Sequence, residues 1–400
     1  MYYQRTLSSV IEKATKSFKV VLITGPRQVG KSTLFEKMME PNRTRVSLDD
    51  SDVLTLAKQD PNLFFQTYQP PLLIDEVQKA PELLLQIKKI VDNTNEKGLF
   101  WLTGSQKFTL MKNVSESLAG RVAVLDLQGL SQSEKNNDAN REPFVPDIPL
   151  QTKRPIWSVK EIFEVIHKGS YPQLFDGITD WELYYKSYVD TYLMRDVKDI
   201  VQLENELNFI RFLKILATRT SQPLNYADLA RDVDIAPNTV KNWVSILQTL
   251  GIIYLLPAYF ENNIGKRLVK SPKLYFMDTG LCAYLCSIKT AETLADSHLS
   301  GEFVETYAVS EIIKSYIHNG KTPNIYYCRT TNQEEIDVVI EEDNKVYPIE
   351  IKKTATPTIS MAKNFKLIDE KKKGIGCILC LSEKFIPINK EIYIIPISYI

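Results

Sequence analysis

One nine-residue segment, Gly25–Thr33, restricts the fold of this 400-residue chain more than any other feature. It follows the apolar run Val20–Thr24, precedes an apolar stretch that begins near Leu34, and has the G-x-x-x-x-G-K-S spacing of a phosphate-binding loop. Its two glycines let backbone N–H groups approach phosphate oxygens, and the N-terminus of the following helix adds partial positive charge. The segment therefore predicts a nucleotide site. An ordinary glycine turn is the alternative.

The residues of this loop have predicted roles at the nucleotide. We expect Lys31 to reach the β- and γ-phosphates and the Ser32 hydroxyl to bind magnesium. The predicted nucleotide-binding residues of the loop are Gly25, Pro26, Arg27, Gln28, Val29, Gly30, Lys31, Ser32 and Thr33. The pattern thus implies ATP and Mg²⁺ as the cofactors.

Short aliphatic or β-branched runs alternate with longer amphipathic stretches through the first third of the chain. This alternation predicts an α/β domain, residues 1–150, with a parallel sheet covered by helices. The predicted strands are Lys19–Thr24, Arg45–Leu48, Pro71–Asp75, Leu99–Thr103 and Arg121–Leu127. The polar segment Ser131–Pro155 shows no hydrophobic period, so we predict a loop or linker there.

Two acids, Asp75 and Glu76, end the second apolar strand after the loop. Acids at the end of a buried strand cost solvation unless a bound group uses them, which predicts that Asp75 holds magnesium through water and that Glu76 polarises the attacking water. A solvated strand end is the alternative. The next strand ends near Thr103 and Ser105; either side chain is suited to sensing the γ-phosphate or, equally, to capping the next helix.

Arg121 follows an apolar helix and precedes a strand. An arginine in this place is suited to stabilising transition-state charge, either in its own chain or in a neighbouring subunit. A surface arginine fits the spacing equally well.

Composition limits the partners and the compartment. Lysine plus arginine equals aspartate plus glutamate at 49 each, so the chain as a whole has no field that attracts nucleic acid or a membrane. No apolar run approaches the roughly 18 residues of a spanning helix, and charges interrupt the first twenty residues where a signal peptide would be apolar. Five cysteines suit a reducing compartment, and Cys377 and Cys380 are predicted to be buried thiols in a strand. We therefore expect a cytoplasmic protein without membrane contact.

The middle of the chain is predicted to be helical. Residues 151–207 are predicted to form a helical, lid-like segment, and residues 208–290 a unit of three helices closed by an apolar strand, which is the order of a winged helix. Positions 209–272 carry eight basic residues against four acidic ones. Polar groups on the second helix of the turn, Asn238, Thr239, Lys241 and Asn242, are suited to DNA. A protein-docking module is the alternative.

A hairpin dominates the last part of the chain, residues 291–400. A two-residue turn at Asp343-Asn344 places Asp337 directly opposite Glu350. Alternation puts Ile336, Val338 and Ile340 on one face and Asp337, Glu350 and Lys352 on the other. Two carboxylates about 5 Å apart repel each other unless a cation or proton compensates, so the pair predicts a divalent metal with Lys352 near a scissile phosphate. A solvated hairpin is the alternative.

Several motifs together resemble one group of proteins, the prokaryotic AAA-type ATPases that join a P-loop domain to a winged helix and a restriction-endonuclease-like domain. The motifs are G-P-R-Q-V-G-K-S-T at Gly25–Thr33, L-L-I-D-E-V-Q-K at Leu72–Lys79, L-T-G-S-Q at Leu102–Gln106, S-L-A-G-R at Ser117–Arg121 and Y-L-M-R-D-V at Tyr192–Val197. The resemblance implies ATP binding and hydrolysis, with Arg121 as an arginine finger. The late D-x12-E-x-K pattern resembles the PD-(D/E)xK nuclease core, which implies a further acid, Glu302 or Glu305, and a Mg²⁺ or Mn²⁺ site formed by Glu305, Asp337 and Glu350.

Two functional hypotheses follow. In the first, an ATPase couples hydrolysis of MgATP to DNA binding or processing, with Glu76, Arg121 and Lys352 as catalytic residues and Asp75 and Ser105 at the nucleotide. In the second, a nucleotide-gated switch or adaptor docks protein partners, and the nuclease-like domain is inactive. A homo-oligomer is compatible with both.

Overall fold

The structure is a computed structural model that describes residues 2–105, 114, 117–147, 156–200, 205–259, 271–330 and 332–400. Its N-terminal part is a five-stranded sheet with strand order β2-β3-β4-β1-β5, and all of its pairings are parallel. The strands are β1 Val20–Thr24, β2 Thr44–Ser47, β3 Leu72–Asp75, β4 Phe100–Thr103 and β5 Val122–Asp126. The α/β domain and its five predicted strands are therefore confirmed.

Helices cover both faces of this sheet because its central strands are apolar on both sides. Every residue of β1, β3 and β4 is buried. One face packs in a core cluster with Leu34, Phe35 and Trp101, and the other packs in a cluster with Phe64 and Leu83. The helices are α1 Leu7–Ser17, α2 Lys31–Met38, α3 Ser51–Gln59, α4 Pro61–Thr67, α5 Glu82–Asp92 and α6 Gln132–Lys135.

The helix α6 corrects the prediction of a plain loop over Ser131–Pro155. Ser131 and Glu134 form a capping box, in which each side chain accepts a hydrogen bond from the other residue's backbone N–H. This local pattern starts a helix even in a polar segment without hydrophobic period. Residues 148–155 of the predicted loop lie outside the described residues.

The middle of the chain is helical, as predicted. The helices are α7 Val159–Lys168, α8 Trp181–Ser187, a π-helical turn Tyr188–Leu193, α9 Met194–Ile200, α10 Glu206–Ala217, α11 Tyr226–Val233 and α12 Pro237–Thr249. An antiparallel pair follows, β6 Ile253–Leu256 and β7 Lys273–Phe276. We call α10–α12 with β6 and β7 the three-helix unit; Trp243 packs against Phe209 and Phe212 inside it. Its assignment as a winged helix stays a prediction.

The C-terminal part is a mixed six-stranded sheet with strand order β12-β13-β11-β10-β9-β8. The strands are β8 Ile325–Arg329, β9 Glu335–Glu342, β10 Lys345–Lys352, β11 Gly376–Cys380, β12 Ile386–Pro387 and β13 Ile392–Pro396. The helices before it are α13 Thr279–Leu285, α14 Ala291–Asp296 and α15 Ser300–Ile317. Cys377 and Cys380 are buried free thiols in β11, as predicted.

The predicted hairpin register is found from Lys345 to Ile349, the predicted pairing of Asp337 with Glu350 lies beyond this ladder, and one predicted face is wrong. Lys345 pairs with Glu342 and Ile349 with Val338, and the turn residues Asp343 and Asn344 both have positive φ. The pairing of β8 with β9 shifts register between Tyr326 and Cys328, however. This irregularity changes the alternation along β9, so Ile336 joins a different core cluster from Val338 and Ile340.

Among the described residues, no helix is both long and apolar enough to cross a lipid bilayer.

Candidate active site

The phosphate loop lies between β1 and α2, where the backbone requires glycine. Gly25 and Gly30 have φ of +137° and +92°, and a Cβ on Gly25 would collide with the carbonyl oxygen of Leu127. Lys31 is buried, and its Nζ donates hydrogen bonds to the carbonyl oxygens of Gly25 at 3.0 Å and Pro26 at 2.7 Å. Burial lowers the pKa of Lys31 to about 8. The backbone of the loop therefore surrounds its own lysine.

Ser32, Asp75 and Thr103 meet at the carboxyl ends of neighbouring strands. The Ser32 hydroxyl donates to Asp75 Oδ1 at 2.7 Å, and the Thr103 hydroxyl donates to the same oxygen. A hydroxyl beside a carboxylate is the oxygen donor set that Mg²⁺ prefers. The residues predicted to hold magnesium are thus adjacent and fit the ion.

Glu76 lies one residue further, in a left-handed backbone conformation with φ 58° and ψ 45°. Its Oε2 accepts a hydrogen bond from the Ser105 hydroxyl at 3.1 Å and one from the Gln78 side-chain amide. The structure therefore places Ser105 against Glu76, and Thr103 against Asp75. Gln78 was not predicted from the sequence. The alternative role of Ser105 as a helix cap falls on residues 106–113, outside the described residues.

The phosphate loop also contacts the helical segment that follows the domain. The Arg27 guanidinium binds Asp196 of α9, with Nε 2.9 Å from both carboxylate oxygens and an Nη 2.7 Å from one of them. Gln28 donates to the hydroxyl of Tyr192 in the π-helical turn at 2.9 Å. π-Helical turns are rare and frequent at functional sites. Two loop residues are therefore joined directly to the predicted lid.

We expect Asp196→Asn to weaken ATP binding by about tenfold, because the loop loses the anion that holds Arg27 and hence part of its preorganisation. Titration with a fluorescent ATP analogue measures the effect. The matched control is Asp190→Asn, which changes an exposed aspartate of the same segment. Equal affinities for Asp196→Asn and wild type would show that this contact does not shape the loop.

Arg121 lies at the amino-terminal end of the strands, whereas the phosphate loop lies at their carboxyl-terminal end. It precedes β5, and β5 pairs with β1 from Val122 opposite Val20 to Asp126 opposite Thr24. Five residues of strand thus separate Arg121 from the loop of its own chain, roughly 13 Å or more. Its guanidinium binds Asp92, with Nε–Oδ1 at 2.5 Å. A finger role within its own chain is therefore inconsistent with this arrangement, and the role in a neighbouring subunit stays a prediction.

A buried ion network, which was not predicted from the sequence, contacts the phosphate loop. Arg5 Nε lies 3.1 Å from Glu134 Oε2, and His318 Nδ1 lies 3.2 Å from Glu134 Oε1. Arg5 also donates to the carbonyl oxygens of Val29 at 2.8 Å and Gln128 at 2.7 Å. Because Val29 belongs to the phosphate loop and His318 follows α15, the network joins the loop to the C-terminal part.

The predicted carboxylates of the C-terminal part come together and are buried. Asp337 and Glu350 are 8% and 6% exposed, which rules out the alternative of a solvated hairpin. Lys352 Nζ lies 2.6 Å from Glu350 Oε1 and 3.4 Å from Asp337 Oδ2. Burial and the nearby Asp337 raise the pKa of Glu350 and of Glu305 to about 7. Glu302, the other predicted acid of α15, is half-buried and makes no ion pair with Asp337, Glu350 or Lys352 in the described part of the chain.

These carboxylates are already neutralised by lysines. Glu305 binds Lys273 at 3.0 Å, and Lys352 lies between Asp337 and Glu350. Within the described ranges, no group of three or more His, Cys, Asp or Glu side chains is arranged to hold a metal ion. The residues as they stand here do not fit the predicted second metal.

Three family models match successive parts of the chain. Residues 17–136 match a model described as AAA domain. The N-terminal part of the chain is a P-loop domain of the AAA type. Residues 159–292 and 300–400 match two domains of unknown function, DUF8612 and DUF4143. The AAA-domain match includes the phosphate loop, Asp75, Glu76 and Arg121, whereas neither of the other two descriptions names a winged helix or a nuclease.

Two relatives and one solved structure are similar to this chain. An uncharacterized protein of Mycobacterium tuberculosis is 28% identical over 99% of this chain and 84% of its own length. An uncharacterized protein of Methanocaldococcus jannaschii is 23% identical over 65% of this chain and 60% of its own length. A Walker-type ATPase of Pyrococcus abyssi aligns with 71% of this chain and 96% of its own at 16% identity, with a TM-score of 0.41.

Proposed function

We propose that the protein is an ATPase that binds MgATP at Gly25–Thr33 and hydrolyses it. The contact of Ser32 and Thr103 with one oxygen of Asp75 is the observation that supports this most. Ser32 and Asp75 hold magnesium, and Lys31 leaves its two carbonyl partners to bind the β- and γ-phosphates. Magnesium neutralises charge that develops on the phosphates when bound. Glu76, oriented by Ser105 and Gln78, accepts a proton from the attacking water.

Hydrolysis acts on the rest of the chain through the loop. Arg27 and Gln28 contact Asp196 and Tyr192. A change in the loop when ATP is hydrolysed therefore moves α9 and the π-helical turn. We propose that this motion controls DNA binding by the three-helix unit. Asn238, Lys241 and Asn242 are exposed on α12, which leaves them accessible to a duplex.

A second candidate function is a nucleotide-gated adaptor for a protein partner. The lysines that neutralise Asp337, Glu350 and Glu305 favour it, because a nuclease needs those carboxylates for metal. In this candidate the ATPase site is unchanged, and the exposed face of α12 docks a protein.

Hydrolysis of ATP with and without duplex DNA separates the candidates. We expect wild type to hydrolyse MgATP, Lys31→Ala to be inactive, and DNA to change the rate of wild type and to bind less tightly as salt rises. Asp337→Asn/Glu350→Gln, followed on a gel with Mg²⁺ or Mn²⁺, tests strand cleavage. If ATP is hydrolysed while DNA neither binds nor alters the rate, the adaptor is favoured. If wild type does not hydrolyse ATP, both candidates fail.

A further inference from the structure

Lys273 lies in the carboxylate cluster although it belongs to the three-helix unit. It begins β7 and is 3% exposed. Its Nζ lies 3.0 Å from Glu305 Oε1 and 2.5 Å from Glu335 Oε1, and the hydroxyl of Tyr275, also in β7, donates to Glu305 Oε1 at 2.6 Å. Lys273 thus places a cation from one part of the chain against acids of another.

The charges of this cluster nearly cancel. Among the described residues, its carboxylates are Glu305, Glu335, Asp337 and Glu350, and its cations are Lys273, Lys352 and Arg329. With all four carboxylates ionised, removal of the Lys273 ammonium leaves two excess negative charges, which is the charge of one divalent ion. Glu350 Oε2 is buried and makes no hydrogen bond within the described part of the chain. One carboxylate oxygen is therefore available for a ligand.

The strand that carries Lys273 contacts the C-terminal part through side chains rather than through a strand pairing. β7 pairs with β6 and is not a strand of the six-stranded sheet. The chain after β6 reaches the edge strand β8 through Tyr327, whose N–H donates to Pro257 and whose carbonyl accepts from Tyr259. All four residues of β7 are nevertheless buried, and Leu274, Tyr275 and Phe276 share a core cluster with Val338 and Ile340 of β9, so Lys273 is held in the carboxylate cluster.

We propose that Lys273 is a built-in cation that takes the place of a divalent metal among Glu305, Asp337 and Glu350 and so excludes Mg²⁺ and Mn²⁺ from these carboxylates. A compact ammonium and a metal ion compete for the same carboxylate oxygens. This exclusion does not rest on the proposed ATPase function.

Calorimetric titration of the full chain with Mn²⁺, without nucleotide, tests this exclusion. We expect Lys273→Met to bind Mn²⁺ at least about tenfold more tightly than wild type, since methionine keeps the length of the side chain and removes its charge. Lys273→Arg should behave as wild type. Adding Glu305→Gln and Asp337→Asn to Lys273→Met should abolish the gain, which assigns the bound ion to these carboxylates rather than to Ser32 and Asp75.

Lys314→Met is the matched control, because Lys314 is also a buried lysine. It lies in α15, and its Nζ is 2.9 Å from Glu311 Oε1. An equal gain of Mn²⁺ affinity in Lys314→Met would overturn the proposal, and so would no gain in Lys273→Met. If circular dichroism shows that Lys273→Met does not fold, wild type and Lys273→Gln are titrated instead. Tight Mn²⁺ binding by wild type that Asp337→Asn removes would refute the exclusion. Mn²⁺ binding by Lys273→Gln but not by wild type would support it. None of these measurements involves ATP hydrolysis, so failure of the ATPase function is detected separately.

Discussion

The Glu76→Gln variant is expected to hydrolyse ATP about two to four orders of magnitude more slowly than wild type while it binds ATP within a few-fold of wild-type affinity. The amide has the shape of the carboxylate and still accepts the hydrogen bond from Ser105, but it no longer takes a proton from water. Phosphate release measures kcat, and a fluorescent ATP analogue measures affinity. Loss of kcat without loss of binding identifies an interaction that acts on the chemical step.

Glu82→Gln is the control for this experiment, because Glu82 is an exposed acid at the start of α5, six residues from Glu76. It should keep the wild-type rate. A wild-type kcat in Glu76→Gln would show that the water is activated by another group. A parallel loss of ATP affinity would instead show that Glu76 holds the nucleotide.

The strands and the acid pair were predictable because their signals are local. A strand of four or five apolar residues, followed by Asp75-Glu76 or by Gly25, is visible in consecutive letters of the sequence. The hairpin register follows equally from local chemistry, since Asp343 and Asn344 tolerate the positive φ that a two-residue turn needs. Arg121 lies at the amino-terminal end of β5, away from the loop, because β5 pairs in parallel with β1, and this pairing cannot be read from a single sequence.

The prediction of strict alternation along β9 was wrong for a related reason. Period two predicts a face only while the strand is regular, and the register shift opposite Tyr326 and Cys328 moves Ile336 to the other core cluster. No glycine or proline marks this irregularity in β9. The same strand carries Asp337, so the error falls next to the carboxylates that the prediction concerned.

Long-range ion pairs were not predictable from one sequence. Arg27 and Asp196 are 169 positions apart, and Arg5 and Glu134 are 129 positions apart. Arginine and aspartate are common on surfaces, so only their burial in the fold distinguishes these residues. The sequence therefore predicted the phosphate site but not its two connections to the helical segment and to the C-terminal part.

The second large effect is expected from Glu134→Gln, which should destabilise the protein by about 3–5 kcal/mol at neutral pH. Glu134 is fully buried, and the change leaves the buried Arg5 guanidinium without its counter-ion. Exchange of backbone amide hydrogens over positions 127–133 reads the local opening, because Gln128 N–H donates to His318 in this network. The expected loss corresponds to roughly two to four orders of magnitude faster exchange, at about 1.4 kcal/mol per factor of ten.

The difference between wild type and Glu134→Gln should depend on pH. Burial by itself raises the pKa of Glu134, but Arg5, His318 and the Ser131 N–H outweigh burial and hold that pKa far below its ordinary value of 4.5. A lowered carboxylate pKa stabilises the fold above the ordinary value, and this contribution is lost as the pH falls below it. The variant has no such contribution to lose. Urea unfolding midpoints of the two proteins should therefore begin to converge below about pH 5 and continue to converge as the pH falls towards the lowered pKa.

Glu142→Gln separates this effect from a general response to removing one acid, since Glu142 is exposed and lies eight residues from Glu134. It should unfold as wild type does at every pH. Because Arg5 also binds the carbonyl oxygen of Val29, Glu134→Gln should weaken ATP binding too. If Glu134→Gln loses stability but keeps wild-type ATP affinity, the network supports the fold alone. If stability and ATP affinity fall together, and the unfolding midpoints converge at low pH, the buried Arg5–Glu134 pair also shapes the phosphate loop. Because His318 follows α15 and contacts Glu134, the same network then couples α15 to the nucleotide site.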